Sequence, residues 1–76
     1  MEDLTEAGHL ARWNGSHYIV SAPTGIQLGS LELVGDVWEW AEFTSEYDRG
    51  VEVADRSFDS PEEALHAMLE WGGWLV

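Results

Sequence analysis

The chain has 76 residues, of which 15 are acidic and only 3 are basic, so its formal net charge at neutral pH is -12. Such an acidic protein would repel nucleic acid and anionic membranes, which disfavours both as direct partners. The chain has no cysteine, and this excludes a disulfide framework and any metal site built on thiolates.

The apolar content nevertheless predicts a folded protein. Apolar residues make up 45% of the chain, and 5 residues are tryptophan. High net charge alone is typical of disorder, but this many large apolar side chains favour a packed globule. We expect one domain spanning residues 1–76. No apolar run approaches the roughly 20 residues of a membrane span, and the first residues lack the features of a secretory signal, so we expect a cytoplasmic protein.

The amino-terminal half predicts an arm followed by a hairpin. Residues 1–8 are polar and acidic, and we expect a flexible arm or a short helical turn there. Asn14-Gly15 then separates His9–Trp13 from Ser16–Ser21, and an Asn-Gly pair between alternating segments is a strong hairpin signal, because both positions accept a positive φ. The Pro23-Thr24-Gly25 segment predicts the turn that closes this unit.

A second hairpin is predicted over Ile26–Val34 and Val37–Thr44, with Gly35-Asp36 as its two-residue connection. This connection fixes the register, because side chains alternate between the two faces of a sheet. The expected opposite pairs are Val34 with Val37, Leu33 with Trp38, Glu32 with Glu39, Leu31 with Trp40 and Leu28 with Phe43. One face, with Leu31, Leu33, Trp38 and Trp40, is expected to be core, and the other holds Glu32 and Glu39.

The carboxyl-terminal part predicts a turn, a strand and a helix. Ser45–Gly50 is polar and turn-like, and Val51–Phe58 is expected to be the last strand. Ser60 is expected to cap the helix, with Pro61 at its first position and Glu63 completing a capping box. The expected apolar stripe is Leu65, Met68, Leu69 and Trp71, the expected end is Gly72-Gly73, and Trp74, Leu75 and Val76 are expected to pack back on the domain.

These elements predict an α+β fold. We expect a small antiparallel β-meander of about four or five strands, with one carboxyl-terminal amphipathic helix packed on the sheet.

No catalytic or metal-binding arrangement is predicted. In the expected first hairpin, His9 lies opposite Val20 and His17 opposite Arg12, so the two imidazoles fall on opposite faces of the sheet. His66 is expected to be a solvated helical residue stabilised by nearby carboxylates. The chain has no Gly-x-Ser-x-Gly elbow and no phosphate-binding glycine loop. We therefore expect neither enzymatic activity nor a cofactor.

The acidic residues suggest an interaction surface instead. Glu32 and Glu39 are expected directly across a strand pair, where like charges cost up to about 1 kcal/mol. One explanation is a face that receives lysine and arginine from a partner, and the alternatives are a merely solvated acidic face or a slipped strand register. The candidate partner-binding residues extend this pair to the hairpin tip and to its far end: Glu32, Asp36, Glu39, Glu42, Glu46 and Asp48. Val34, Val37 and Phe43 on the same side either add apolar anchors to this surface or pack against the first hairpin or the carboxyl-terminal tail.

By its size, its acidity, its lack of cysteine and its short β-rich plan with one helix, the chain resembles small acidic phage or mobile-element proteins, including anti-CRISPR proteins and other DNA mimics. The resemblance carries no residue over. It implies an inhibitor that occupies the basic groove of a nuclease or another nucleic-acid-binding complex. The alternatives are a small protein adapted to high salt or solubility, and a small subunit of a larger assembly.

Overall fold

The computed structural model describes residues 1–43 and 57–75, which form a curled antiparallel sheet followed by one helix. The sheet has 6 strands, each hydrogen-bonded to the next in chain order. The expected α+β class is confirmed, with more strands than the four or five predicted. The strands are β1 (Leu4–Glu6), β2 (His9–Trp13), β3 (Tyr18–Ser21), β4 (Gln27–Val34), β5 (Val37–Glu42) and β6 (Ser57–Phe58), and the helix is α1 (Pro61–Trp71).

The additional strand is β1, where the sequence predicted a flexible arm or a helical turn. Ala7 and Gly8 both have positive φ values, 52° and 81°, and they join β1 to β2 in a tight turn that pairs Glu6 with His9. Such a turn matches the twist of a hairpin. The Tyr18 hydroxyl also donates to the Glu2 carbonyl at 2.9 Å, which fastens the chain ahead of β1.

The predicted register of the β2–β3 hairpin is wrong. The loop spans residues 14–17, and Arg12 pairs with Ile19 rather than with His17. The cause is the Asn14 side chain, whose Oδ1 accepts hydrogen bonds from the backbone amides of Ser16 and His17 at 3.0 Å. Asparagine thereby stabilises a wider loop than the Asn-Gly pair predicts. Ala11, not His9, lies opposite Val20, and His17 lies in the loop.

The predicted register of the β4–β5 hairpin is confirmed at every pair from Val34 with Val37 to Leu31 with Trp40. Gly35 has the positive φ of 67° that this two-residue turn requires. At the other end, the Phe43 amide donates to the Leu28 carbonyl at 2.8 Å, which agrees with the expected pairing of these two residues.

The helix begins and ends at the predicted residues, and of the predicted capping box the structure shows the bond to the Ser60 hydroxyl but none from the Glu63 side chain. The Ser60 hydroxyl accepts from the Glu63 amide at 3.2 Å, and Pro61 occupies the first turn. At the other end, the amides of Gly73 and Trp74 donate to the carbonyls of Glu70 and Leu69. This is the Schellman arrangement, with Gly73 at a φ of 79°.

The core lies between α1 and one face of the sheet, called here the covered face. The opposite face, called the outer face, carries Glu32 and Glu39. Gly29 permits close approach on this face, because a Cβ there would lie 2.2 Å from the Ala41 carbonyl oxygen of β5 and 3.1 Å from the Met68 sulfur of α1. The buried apolar residues of this core are Ala11, Tyr18, Val20, Leu31, Trp38, Trp40, Ala64, Leu65, Met68 and Leu69, with Trp74 and Leu75 packed against them.

Leu33 corrects the predicted core. Leu33 is 54% exposed. The reason is that β3 begins at Tyr18, opposite Leu31, and therefore has no residue beside Leu33. Trp71 is 49% exposed at the end of the predicted helix stripe.

The remaining predictions concern the carboxyl-terminal half. Only Ser57–Phe58 of the predicted last strand is described, and it pairs with β5 at Trp38 and Glu39. Residues 51–56, the predicted turn over residues 45–50, and Val76 lie outside the described residues. No helix among the described residues is long and apolar enough to cross a membrane.

Candidate interaction surface

The β4–β5 hairpin projects past the end of β3 and presents two glutamates side by side. Glu32 and Glu39 lie directly opposite each other on the outer face. Glu32 is exposed and Glu39 is half-buried. Neither carboxylate forms an ion pair with any residue in the described ranges 1–43 and 57–75. No described cation therefore lies beside either member of the pair.

The other candidate acids are not all on this face. Asp36 is exposed in the turn at the hairpin tip, close in sequence to the glutamate pair. Glu42 pairs with Gly29 at the far end of β5, and strand alternation puts it on the covered face, opposite to Glu39. Glu46 and Asp48 lie outside the described residues. The structure thus brings together Glu32 and Glu39, with Asp36 at the tip.

Apolar side chains accompany the pair on the outer face. Val34 is 47% exposed and Phe43 is 45% exposed, whereas Val37 is half-buried. Val34 and Val37 form the last cross-strand pair before the turn, next to the two glutamates. Charged and apolar groups therefore alternate along this hairpin, as they do at the rims and centres of many protein interfaces.

The described residues contribute little positive charge around this face. Arg12 is the only lysine or arginine among residues 1–43 and 57–75. Its side chain is exposed and lies 3.7 Å from the Asp3 carboxylate. Arg12 is on β2, and β3 separates it from β4, so it does not neutralise the hairpin.

A second acidic region, which sequence reasoning missed, lies beside α1. A groove of about 450 Å³ is lined by Phe58, Glu62, Glu63, His66, Ala67 and Glu70. The helical residues are spaced three or four apart, so the sequence does predict that they share one side of a helix. The contribution of Phe58 from β6 depends on tertiary packing, and no local signal predicts it.

His66 connects this region to β1. Its Nδ1 lies 2.5 Å from Oε2 of Glu6, and its Nε2 lies 3.9 Å from Oε1 of Glu70. The hydrogen bond to Glu6 and the negative charge of that residue raise the pKa of His66, and Glu70 adds to the same effect. The expected carboxylate neighbours were helical. The principal partner comes instead from β1, at the other end of the chain.

Two observations concern the remaining titratable groups among residues 1–43 and 57–75. No group of three or more histidine, aspartate or glutamate residues in the described part of the chain is placed to hold a metal ion. Burial raises the pKa of Tyr18, and the negative charges of Glu62, Asp3 and Glu2 raise it further. Its hydroxyl is already engaged with the Glu2 carbonyl, so Tyr18 has a structural role.

Comparison of the chain with protein-family models, curated proteins and solved structures found no match. The functional assignment therefore rests on the geometry and charge of the two acidic surfaces.

Proposed function

We propose that this chain is a non-enzymatic acidic module that binds the basic surface of a nucleic-acid-binding protein and competes there with nucleic acid. The observation that supports this most directly is the pairing of Glu32 with Glu39 on a projecting hairpin, with no described cation beside either carboxylate. Like charges directly opposite each other oppose strand pairing. A partner that supplies positive charge would relieve this repulsion.

The spacing of the carboxylates suits a surface that normally receives phosphates. A strand advances about 3.3 Å per residue, and opposite residues on an antiparallel pair have their Cβ atoms about 5 Å apart. Duplex DNA carries one phosphate per about 3.4 Å along each strand. Glu32 and Glu39 therefore offer two negative charges at a separation comparable to that of neighbouring phosphates, and Asp36 adds a third charge farther along, at the tip.

The neighbouring apolar side chains would contribute to affinity. Exposed Val34 and Phe43 can be buried against a partner, and burial of apolar surface adds binding energy that phosphate contacts alone do not give. Such a protein would act in the cytoplasm as an inhibitor, in the manner of the anti-CRISPR and phage DNA-mimic proteins that the chain resembles.

The test is a competition assay with a panel of basic DNA-binding domains, each bound to a fluorescent duplex. The unchanged protein should displace the duplex from at least one domain, and E32K/E39K should compete about tenfold or more less well, since interfacial charge pairs contribute strongly to recognition. The control E2K/D3K makes the same change in net charge at exposed residues ahead of β1, which β2 and β3 separate from the hairpin, and should compete nearly as well as the unchanged protein.

Two outcomes would contradict the proposal. The first is equal loss in both double variants, which would mean that only net charge matters. The second is no displacement from any domain. Unfolding curves of all three proteins establish whether the variants are folded.

Membership in a larger assembly is a second candidate, favoured by one observation. Trp71 is 49% exposed although its ring lies 5.3 Å from that of Trp40. A large aromatic ring at the surface is typical of interface centres. A molecular mass that increases with protein concentration, and that W71A returns to the monomer value, would support this candidate.

A further inference from the structure

The groove beside α1, called here the helix groove, combines an apolar floor with a negatively charged rim. Phe58 and Ala67 provide apolar surface, and the carboxylates of Glu62, Glu63 and Glu70 stand at the edges. Its volume of about 450 Å³ lies within the range of roughly 300–1,000 Å³ that is usual for ligand pockets. The groove is open to solvent, so it suits a side chain of a docked segment better than an enclosed small molecule.

Its charge determines which occupants fit. Neither Glu62 nor Glu63 forms an ion pair with any residue that the structure describes. His66 contributes positive charge only when it is protonated, and then it lies close to Glu6. Arg12 is engaged with Asp3. Phosphates and a second copy of this chain, with its net charge of -12, would both be repelled.

An arginine side chain matches both parts of the groove. Its guanidinium is planar and weakly hydrated, stacks on aromatic rings, and forms paired hydrogen bonds with carboxylates. Its methylene stem can cover apolar surface while the charged end meets the rim. Lysine offers a compact and strongly hydrated charge, which gains less from contact with Phe58.

We propose that the helix groove is a docking site for an arginine side chain of a basic protein partner, separate from the Glu32–Glu39 pair. The inference rests on the proposed function only for the class of partner. The two surfaces lie on different sides of the sheet, because Phe58 pairs with Trp38 of the covered face whereas Glu39 is on the outer face.

The test is an NMR titration of the full isotope-labelled chain with two short peptides of equal charge, one alternating alanine with arginine and the other alanine with lysine. The arginine peptide should shift the signals of Phe58, Glu63 and Ala67, and should bind more tightly than the lysine peptide. E63Q/E70Q should weaken arginine binding about fivefold, as expected for the loss of two exposed charge pairs.

Two further variants separate the groove from general acidity. A67M fills the groove without altering any charge, and it should also weaken the arginine peptide. The control E32Q/E39Q removes two charges from the outer face and should leave the groove signals and the affinity of the arginine peptide nearly unchanged.

The proposal is overturned by equal loss in E63Q/E70Q and E32Q/E39Q, by unchanged binding to A67M, or by equal affinity for the two peptides. Shifts of the groove signals on simple concentration of the protein would assign the groove to a second copy and also overturn it. Failure here leaves the competition assay with E32K/E39K untouched. Conversely, groove binding with an inert Glu32–Glu39 pair would remove only the proposed function.

Discussion

The two faces of the β4–β5 hairpin differ sharply although they belong to the same strands. On the covered face, Leu31, Trp38 and Trp40 are buried under α1. On the outer face, Glu32 and Val34 are exposed. Strand alternation thus assigns stability to one face and leaves the other available for binding. Changes on the outer face should therefore alter recognition with little effect on folding.

The covered face is buried along only part of the length of these strands. Leu31 and Leu33 point to the same side, but Leu31 is fully buried and Leu33 is 54% exposed. The rings of Trp13 and Tyr18 pack on Trp38, at centroid distances of 6.5 and 5.8 Å. Beyond these rings, Leu33 lies exposed towards the tip of the hairpin.

The largest expected loss of stability comes from a large-to-small substitution on the covered face. L31A removes a fully buried side chain from the centre of the core and should lower the free energy of unfolding by about 2–5 kcal/mol. For so small a domain that is a large part of the total stability. Denaturant unfolding followed by tryptophan fluorescence measures this loss.

Two control variants test where the contribution of the covered face to stability ends. V34A on the outer face and L33A at the projecting end should each change stability by only about 0.5 kcal/mol or less. A loss in V34A comparable to that in L31A would mean that the outer face is covered by other parts of the chain, and it would contradict the division between the two faces.

A smaller loss of stability should follow from a substitution just after α1, where the end of the chain packs back on the core. A Cβ on Gly72 would lie 2.1 Å from the Trp74 ring, which packs against the core. The φ of Gly72 is -80°, an ordinary helical value, so G72A acts only by displacing Trp74. We expect a loss of about 1–3 kcal/mol, typical of overpacking.

A double-mutant cycle tests this cause. In a W74A background the ring is gone, so G72A should have almost no additional effect on the unfolding midpoint. An undiminished cost in that background would show that Gly72 is required for another reason.

Replacing one glutamate of the pair tests how much charge repulsion on the outer face reduces stability. E39K converts a like-charge pair into an opposite-charge pair with Glu32 and should stabilise the protein by up to about 1 kcal/mol. The control E2K changes net charge equally at an exposed residue ahead of β1, which β2 and β3 separate from the hairpin, so the difference between the two variants isolates the pairwise contribution. Equal stabilisation by both would mean that the repulsion is global rather than local to the pair.

The accuracy of the sequence-based predictions follows how local their determinants are. The β4–β5 register was predictable because Gly35-Asp36 permits only a two-residue turn, which sets every later pair. The helix was predictable because Ser60, Pro61 and Gly73 act within one turn of its ends. Each of these signals acts through neighbouring backbone groups.

The failures involve choices between competing hydrogen bonds or contacts from distant parts of the chain. Asn14 could form a two-residue turn or cap a wider loop with its side chain, and the sequence pattern does not distinguish them. β1 lacks a turn signal as strong as Asn-Gly, and its position is reinforced by the Glu6–His66 contact between the two ends of the chain. The helix groove requires Phe58 to meet α1, which depends on the curl of the sheet.

The smallest expected effect concerns this contact between β1 and α1, at the edge of the covered face. Glu6 raises the pKa of His66 above its ordinary value of 6.5 in the folded protein. A raised folded-state pKa means that the contribution to stability is complete below the ordinary pKa and is lost as the pH rises through the folded-state value. The stability difference between the unchanged protein and E6Q should therefore be larger at about pH 5.5 than at about pH 8.5, and an NMR titration of the His66 ring should show a lower pKa in E6Q. E70Q should lower it less, because the Glu70 oxygen is 3.9 Å away. A His66 pKa unchanged by E6Q would show that the contact does not form in solution, and β1 would then need another anchor on the helix.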